Sequence, residues 1–405
     1  MRRTSLLFLV TLTIHCGASA RPTVDAQSFV DAAIGACRWT PSTPFAVTPD
    51  GDLRWRLLAA TSIGSGAHVA LAQSLADGTT RVATASALID ANAPMRVRLQ
   101  EHAMGGRTAI ASVAATASGD TRWTLFDVQG QPCTLVRQSV DRPSVMQPID
   151  LSAVGMGFTL SGCRSIGQTS GGLSFLSEQV RAVWGTEVIA TDVDGRAPTR
   201  TELPMEASSP STATTRTMLS DRSFVVQTVS VRRGRTAIRV QRFDERLAPR
   251  GEGQEIATVA IEPKFVTTIE HTSGLLALWD NAVDTLPPIF GLATRALDAN
   301  GRPLEDVVEH AELGMLSGTA DATSFAGGIL ATGRFLDGTP RQRFVVLDQR
   351  GRSLGAPIEL AGVTLGVGAA TSKIVATREG ALVLTEVSVG ASGGQVIAIP
   401  IRCAL

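Results

Sequence analysis

The chain has 405 residues, of which 37 are basic and 37 acidic, and its formal net charge is zero. That balance argues against a nucleic-acid-binding protein and against a protein held on an anionic membrane surface. Aromatic residues make up 4% and tyrosine is absent, which argues against a broad stacking surface, while 44% hydrophobic residues suffice for a sizeable core. Lysine occurs only at Lys264 and Lys373, an arginine bias that we attribute to a GC-rich genome.

The first segment, residues 1–20, has the pattern of a secretory signal peptide. A short positive region precedes a largely apolar run at residues 6–14, and Ala18-Ser19-Ala20 forms a cleavage site. The apolar run is too short to span a bilayer, and no other stretch is long enough, so we predict no transmembrane segment. We expect export and cleavage after Ala20. The alternative is an outer-membrane lipoprotein with a lipid anchor on Cys16, which we favour less because His15 rather than a small residue precedes it.

A strand-turn unit recurs along the rest of the chain. Each copy begins with a glycine or serine followed by an apolar run. The copies begin at Gly66, Gly106, Gly172, Ser223, Gly274, Gly328 and Gly380. Each unit is predicted to contain four short strands, which alternate or run apolar over five to eight residues and are rich in β-branched side chains. In the copy at Gly274 these strands are Lys264–His271, Gly274–Asp280, Ile289–Asp298 and Val307–Leu313.

An Asp-x-x-Gly type of turn follows most copies and is predicted to join strands three and four. The side chain of Asp can accept hydrogen bonds from the backbone two residues further on, and Gly supplies the positive φ of a tight turn. We therefore interpret the motif as a structural turn. It occurs in the segments that begin at Phe126, Thr191, Phe243, Leu297 and Leu347, and the copy from Phe243 lacks the Gly.

Repeats of about fifty residues with four strands each predict an all-β fold, a β-propeller. We expect one propeller domain over residues 37–405, preceded by an N-terminal segment at 21–36, and we expect seven blades. Six blades are the alternative, because the first two copies begin close together. The last copy supplies only three strands, so residues 37–47 are expected to add the fourth and close the ring with N- and C-terminal strands.

Four cysteines remain after signal removal, and an even number in an exported protein predicts disulfides. The expected propeller topology brings Cys37 and Cys403 onto neighbouring strands, which leaves Cys133 to pair with Cys163. No C-x-x-C spacing is present, so a metal cluster is not expected.

The segment His271–Val307 resembles a β-propeller repeat of exported bacterial proteins. Those repeats read Gly, an apolar run and Trp-Asp, followed by Arg-x-Leu-Asp-x-x-Gly-x-Pro-Leu. Trp279-Asp280 and the run from Arg295 to Leu304 match that pattern. The resemblance implies the fold and export, and it implies no activity.

Catalytic and metal-binding patterns are weak. Glu270-His271 and Glu309-His310 lie on the first and last strands of one unit, which are too far apart to share a metal. Gly390–Gly394 has the form G-x-S-x-G around Ser392, but it joins two predicted strands and is interpreted as a hairpin. We therefore predict no catalytic residue, no metal and no cofactor.

The loops between second and third strands are the expected place for a ligand, because in a propeller they surround one end of the central channel. The function expected from these features is an exported, non-catalytic binding or scaffold module acting in the periplasm or outside the cell, on an unknown protein, peptide or carbohydrate. The alternative is a propeller hydrolase or lyase acting on an extracellular polysaccharide. The predicted ligand-binding residues are Arg232, Arg233, Arg235, Asp280, Asp284, Arg334, Asp337 and Arg341.

Overall fold

The computed structural model describes most of the chain from residue 37 to residue 404. The described ranges are 37–49, 54–64, 66–88, 96–116, 118–139, 142–154, 161–179, 185–203, 211–232, 234–282, 290–315, 319–336, 340–360, 371–389 and 393–404. They contain 29 strands and one 3-10 helix, at Leu151–Val154. No helix within these ranges is long and apolar enough to cross a membrane. The predicted signal peptide, Cys16 and the segment 21–36 lie outside the described residues.

The strands follow one another in groups of four, each an antiparallel meander, after two short strands near the N-terminus. Those two are β1 (Arg38–Pro41) and β2 (Phe45–Ala46). The next strands are β3 (Arg54–Ser62), β4 (Gly66–Ser74), β5 (Thr80–Leu88), β6 (Arg96–Gly106), β7 (Ala109–Ala115), β8 (Thr121–Val128), β9 (Thr134–Ser139), β10 (Arg142–Pro148), β11 (Ser161–Gln168), β12 (Leu173–Gln179), β13 (Gly185–Thr191) and β14 (Thr199–Glu202).

The second half of the chain repeats the pattern and ends with three strands. They are β15 (Ser211–Met218), β16 (Phe224–Arg232), β17 (Arg235–Phe243), β18 (Gln254–Val259), β19 (Val266–His271), β20 (Gly274–Ala282), β21 (Phe290–Leu297), β22 (Val308–Met315), β23 (Asp321–Phe325), β24 (Gly328–Leu336), β25 (Pro340–Leu347), β26 (Ile358–Glu359), β27 (Ser372–Thr377), β28 (Gly380–Val389) and β29 (Gly393–Ala404).

Side-chain patterning explains why these segments are strands. In β17, Thr236, Ile238 and Val240 are buried and alternate with less buried residues that include Arg235 and Arg239. This period of two places one face against a neighbouring sheet. By contrast, β4 is buried along nearly its whole length because it is an inner strand of its group with neighbours on both faces.

The predicted all-β propeller of four-stranded groups is confirmed, but the predicted number of blades, seven or alternatively six, is wrong. The described strands form five hydrogen-bonded sheets, of nine, four, four, four and eight strands, so by hydrogen bonding there are five blades. The largest sheet arises because β29 pairs with β3 at Gly394 and Arg54. The eight-stranded sheet arises because β22 pairs with β24 at Met315 and Phe335. The repeat in the sequence gives the number of strand groups. It contains no information about the single residue pairs that join neighbouring groups into one sheet.

Two details of the repeat are also wrong in its N-terminal part. Gly106 is the last residue of β6 rather than the start of a second strand, because the following run forms β7, the first strand of its group. The turn after Phe126 therefore joins the second and third strands, β8 and β9. The other four Asp turns join third and fourth strands, as predicted.

The two ends of the chain meet in the nine-stranded sheet. Strand β1 pairs antiparallel with β29, from Arg38 opposite Ala404 to Pro41 opposite Ile401, and β2 pairs with the same strand. The predicted disulfide between Cys37 and Cys403 is present, with a Cα–Cα distance of 5.1 Å. The N-terminal strands thus cover the edge of the last group of strands and close the ring.

The second predicted disulfide is also present and ties neighbouring sheets together. Cys133, in the turn before β9, is bonded to Cys163 on β11, with a Cα–Cα distance of 6.3 Å. Both cysteines are buried in an apolar cluster with Leu135 and Ile166.

Each of four Asp turns is held by the aspartate itself, as the sequence predicts. One carboxylate oxygen accepts hydrogen bonds from the backbone N–H groups two and four residues further on. In the turn at Asp298, the donors are Asn300 at 2.8 Å and Arg302 at 2.9 Å. The same pair of bonds forms at Asp192, Asp244 and Asp348. Where the copy from Phe243 lacks the Gly, Leu247 adopts the left-handed conformation, with φ of 67°.

These turns also dock on the preceding group of strands. Three of their glycines lie beside a side chain on the third strand of that group: Gly195 beside Leu135, Gly301 beside Val240, and Gly351 beside Thr294. The backbone oxygen of Gly351 accepts hydrogen bonds from Thr294 Oγ1, and His310 Nε2 lies 2.8 Å from the same oxygen. The turn is therefore both a hairpin and a contact between neighbouring groups around the ring.

Candidate functional site

A cavity of about 730 Å³ lies at the centre of the ring. The first strands of the groups surround it in the order β3, β7, β11, β15, β19, β23 and β27, each beside the next, with β27 returning to β3. All of them contribute residues to its wall. Its volume falls in the range typical of sites for small-molecule ligands.

One side of the cavity wall is lined mostly by apolar side chains, several of them small. Leu58–Ser62 of β3 and Ile110–Val113 of β7 line it with Leu, Ile, Val, Ala, Ser and Thr. Ile110 is 42% exposed, so its apolar side chain is available to a molecule in the cavity. Small and β-branched residues suit these positions because the strands converge near the ring axis.

The other side of the wall carries charges on three successive first strands. Lys264 precedes β19, Asp321 begins β23 and Lys373 is the second residue of β27. Lys264 Nζ lies 2.9 Å from Glu262 Oε1, and Lys373 Nζ lies 3.4 Å from Asp321 Oδ1. The ring order places β7, with its apolar residues, across the cavity from β23.

Asp321 links two of these strands. Its Oδ2 accepts a hydrogen bond of 2.8 Å from the backbone N–H of Ile374, the residue after Lys373. Burial raises the pKa of the Asp321 carboxyl, and the nearby charge of Lys373 and the bond from Ile374 oppose that rise. Asp321 thus fixes the backbone beside Lys373 and faces its ammonium group.

Arg216 lines the cavity from β15, but its guanidinium donates hydrogen bonds to other residues of the protein. It donates to the backbone oxygens of Ser165 and Ser174, and at 3.0 Å to Ser174 Oγ. The guanidinium also lies 5.3 Å from the ring centre of Phe224. Burial lowers the pKa of Arg216 to about 9. Its contacts tie β15 to β11 and β12.

Two of the residues predicted from the loops between second and third strands are buried in strands instead. Asp280, in β20, is 1% exposed, and its Oδ1 accepts bonds from the backbone N–H groups of Lys264 and Phe265 at 2.8 and 2.9 Å. Arg334, in β24, is fully buried and donates to the backbone oxygen of Glu386. Burial lowers the pKa of Arg334 to about 10. Both side chains make contacts that hold the fold.

The other predicted ligand-binding residues are dispersed. Arg235 and Arg341 are exposed on third strands and form ion pairs with Glu255 and Glu359, at 2.7 and 2.9 Å. Arg232 ends β16. Arg233, Asp284 and Asp337 lie outside the described residues. Ligand binding by this set stays a prediction.

The histidines that the sequence singled out lie in separate environments. His271 Nδ1 accepts from the N–H of Ser273, whereas His310 contacts the turn at Gly351. Within the described ranges no three His, Cys, Asp or Glu residues are placed to hold a metal ion. Ser392 lies outside the described residues, and the strands that flank it, β28 and β29, pair as a hairpin.

The cavity residues were not predicted from the sequence, although the positions of the two lysines could have indicated them. The two lysines of the chain both line this one cavity. Composition alone explained why lysine is rare but not where it occurs. The positions of Asp321 and Glu262 beside those lysines depend on how the first strands pack around the axis, which spacing does not reveal.

Comparison with one solved structure supports the fold. No family model and no curated protein matches the chain. A crystal structure of a protein of unknown function from Dyadobacter fermentans is similar, with a TM-score of 0.53 and 11% identity, covering 90% of this chain and 99% of that one. The β-propeller domain of the Trilobed protease from Pyrococcus furiosus has a TM-score of 0.49 and 10% identity, covering 86% and 97%. AofleA from Arthrobotrys oligospora has a TM-score of 0.47 and 12% identity, covering 81% and 94%.

Proposed function

We propose that the protein is an exported, non-catalytic β-propeller module that binds a ligand in its central cavity, in the periplasm or outside the cell. The observation that supports this most strongly is the cavity of about 730 Å³, where charged side chains face an apolar wall. Sites for small ligands combine an apolar lining with a few placed polar groups.

Two further features support export. The N-terminal residues have the pattern of a signal peptide. The two disulfides are of a kind that persists in oxidising compartments. The repeat resemblance of His271–Val307 agrees with the same proposal.

The alternative, a hydrolase or lyase acting on polysaccharide, is less well supported. Such enzymes use a pair of carboxyl groups as acid and base or nucleophile. Among the residues that the structure describes, the cavity lining has two carboxylates, Glu262 and Asp321, and each contacts a lysine ammonium. This pairing suits a binding role better than it suits a proton donor.

A ligand screen with a blocked cavity tests the proposal. Ile110 lines the cavity and is 42% exposed, so Ile110→Trp adds bulk to the open space without changing the charge. We expect some compounds in a panel of organic anions, cations, neutral molecules, sugars and dipeptides to raise the melting temperature of the wild type and not that of Ile110→Trp. Ala299→Trp, in an exposed turn, serves as the control and should respond like the wild type. If no compound distinguishes Ile110→Trp from the control, the cavity is not a binding site.

A further inference from the structure

The distribution of lysine points to the chemistry of the ligand. Among 37 basic residues only Lys264 and Lys373 are lysines, and both line the central cavity. Arginine serves at the basic positions of all surface ion pairs that lie away from the cavity in the described structure, such as Arg341 with Glu359 and Arg350 with Glu305. A compact ammonium on a flexible stem is therefore found only in this cavity.

Each of these ammonium groups keeps hydrogen-bonding capacity. A lysine ammonium has three donors, and the described residues provide one carboxylate partner for each lysine. The contact between Lys373 and Asp321 is 3.4 Å, which is longer than the 2.7–2.9 Å of a tight charge-assisted bond. The Lys373 side chain is 27% exposed and that of Lys264 is 60% exposed. Both can therefore donate to a molecule in the cavity.

The charge of the wall favours an anion. Arg164, Arg216, Lys264 and Lys373 line the cavity as cations, whereas Glu262 and Asp321 are the acidic residues of its lining in the described structure. The chain as a whole has no net charge, so this positive excess distinguishes the cavity lining from the average of the chain. A concave site lined by an excess of one sign of charge concentrates ions of the opposite sign.

The wall opposite the lysines favours a ligand whose uncharged part is apolar. Ile110–Val113 lie across the ring from Asp321, and Ile110 has a large exposed apolar surface. Burying such a surface against a ligand contributes roughly 25 cal/mol per Å². A ligand with one charged end and an apolar body can contact both walls.

We propose that the cavity binds a small organic anion, a carboxylate attached to an apolar body, whose carboxylate accepts hydrogen bonds from Lys373 and Lys264. Asp321 positions Lys373 through its ion pair and its bond to Ile374. This inference rests on the proposed binding function and names the ligand class for the same site.

The scarcity of lysine makes the experiment simple. Reductive methylation with ¹³C-formaldehyde keeps the positive charge of an amine, leaves one N–H donor on each dimethylated lysine, and labels only Lys264, Lys373 and the N-terminal amine. The NMR signals are assigned with Lys264→Arg and Lys373→Arg. Hexanoate, acetate, 1-hexanol and hexylammonium are then titrated into the labelled protein. We expect hexanoate to shift both lysine signals in a saturable way, and each other probe to bind at least about fivefold more weakly.

Variants then locate the site. Lys373→Met should weaken hexanoate binding at least about fivefold, measured by calorimetry on unlabelled protein. Lys264→Met should weaken it in the same direction, and because Lys264 is largely exposed, this variant is expected to fold normally. Arg402→Met, which removes an exposed ion pair with Glu379 outside the cavity, should leave the affinity unchanged.

Three results would overturn this inference: no saturable binding of hexanoate by the unlabelled wild type in calorimetry, binding of hexylammonium or hexanol as tight as that of hexanoate, or unchanged affinity in both lysine variants. If neutral or cationic compounds still distinguish Ile110→Trp from Ala299→Trp in the screen, only the ligand class is wrong. If no compound does, the binding function itself fails.

Discussion

Two buried histidines make the first strand group sensitive to acid. His68 of β4 lies 2.8 Å from Thr124 Oγ1, and His102 of β6 lies 3.0 Å from Thr84 Oγ1, through their Nε2 atoms. Burial lowers the pKa of His68 to about 3, with the charge of Arg122 adding to the effect, and burial lowers the pKa of His102 to about 4. Both side chains are neutral in the folded protein at ordinary pH.

Stability is therefore expected to fall as the pH drops below 6.5. The unfolded chain takes up protons on these histidines near pH 6.5, whereas the folded protein does so only near pH 3 and 4. Between those values each histidine lowers the free energy of unfolding by on the order of 1 kcal/mol per pH unit. Urea unfolding at several pH values measures this slope. The double variant His68→Gln/His102→Gln should have a flatter slope, and an equal slope in both proteins would contradict the assignment.

The aspartate of a turn contributes to stability through two backbone bonds. Asp298→Ala removes the acceptor for Asn300 and Arg302, so we expect a loss of about 1–2 kcal/mol in the free energy of unfolding. Asp306, an exposed aspartate nearby, supplies the matched control, and Asp306→Ala should change stability by less than about 0.5 kcal/mol. Similar losses in both variants would show that the two backbone bonds are not important.

At the scale of the element, the packing of a turn on the neighbouring strand group and the backbone conformation of the turn should contribute separately to the free energy of unfolding. Gly251 and Gly351 both have a positive φ, of 87° and 79°. A Cβ at Gly251 would meet nothing within 4 Å, whereas a Cβ at Gly351 would lie 2.3 Å from Thr294 Oγ1. Gly251→Ala should therefore cost about 1 kcal/mol for the backbone conformation alone, and Gly351→Ala about 1–3 kcal/mol more.

Denaturant unfolding of the two glycine variants, side by side, measures that difference. A double variant, Gly351→Ala/Thr294→Ala, should recover part of the loss because it removes Thr294 Oγ1, the atom nearest to the new Cβ, while Thr294 Cβ at 2.7 Å remains. Equal losses at Gly251 and Gly351 would mean that the turn does not pack closely on β21.

The sequence allowed the elements to be predicted where local chemistry decides them. The strands of the copy at Gly274 and the Asp turns from Thr191 onward follow from alternation and turn residues. The copy at Gly106 was misplaced because β7, a first strand, has the same Gly-apolar pattern as a second strand. Asp280 and Arg334 were expected in loops, but β20 and β24 extend to Ala282 and Leu336, which places both side chains in the buried ends of strands.

At the scale of the whole molecule, ring closure depends on the two ends of the chain. The disulfide between Cys37 and Cys403 spans 366 residues, and cross-links that close long loops restrict the unfolded chain most. Cys37→Ala/Cys403→Ala should therefore lose about 4 kcal/mol in the free energy of unfolding. Guanidinium unfolding without reductant measures the loss, with Arg402→Ala as a control on the same strand. A loss below about 1 kcal/mol would mean that the pairing of β1 with β29 closes the ring without the disulfide.

Closure and the disulfide pairing could be predicted, because the last copy lacks one strand and its cysteine would adjoin Cys37. The number of sheets could not, since it depends on the approach of Gly394 to Arg54 and of Met315 to Phe335. The cavity could not be predicted either. Its wall takes a few residues from each of many distant segments, and only the packed ring shows that Lys264, Asp321 and Lys373 share it.

A crystal structure of the protein soaked with hexanoate tests binding in the cavity most directly. The proposal predicts density for the ligand in the central cavity, with its carboxylate within hydrogen-bonding distance of Lys373 Nζ and its chain against Ile110–Val113. Hexanoate found only outside the cavity, or bound there with its carboxylate away from both lysines, would contradict it.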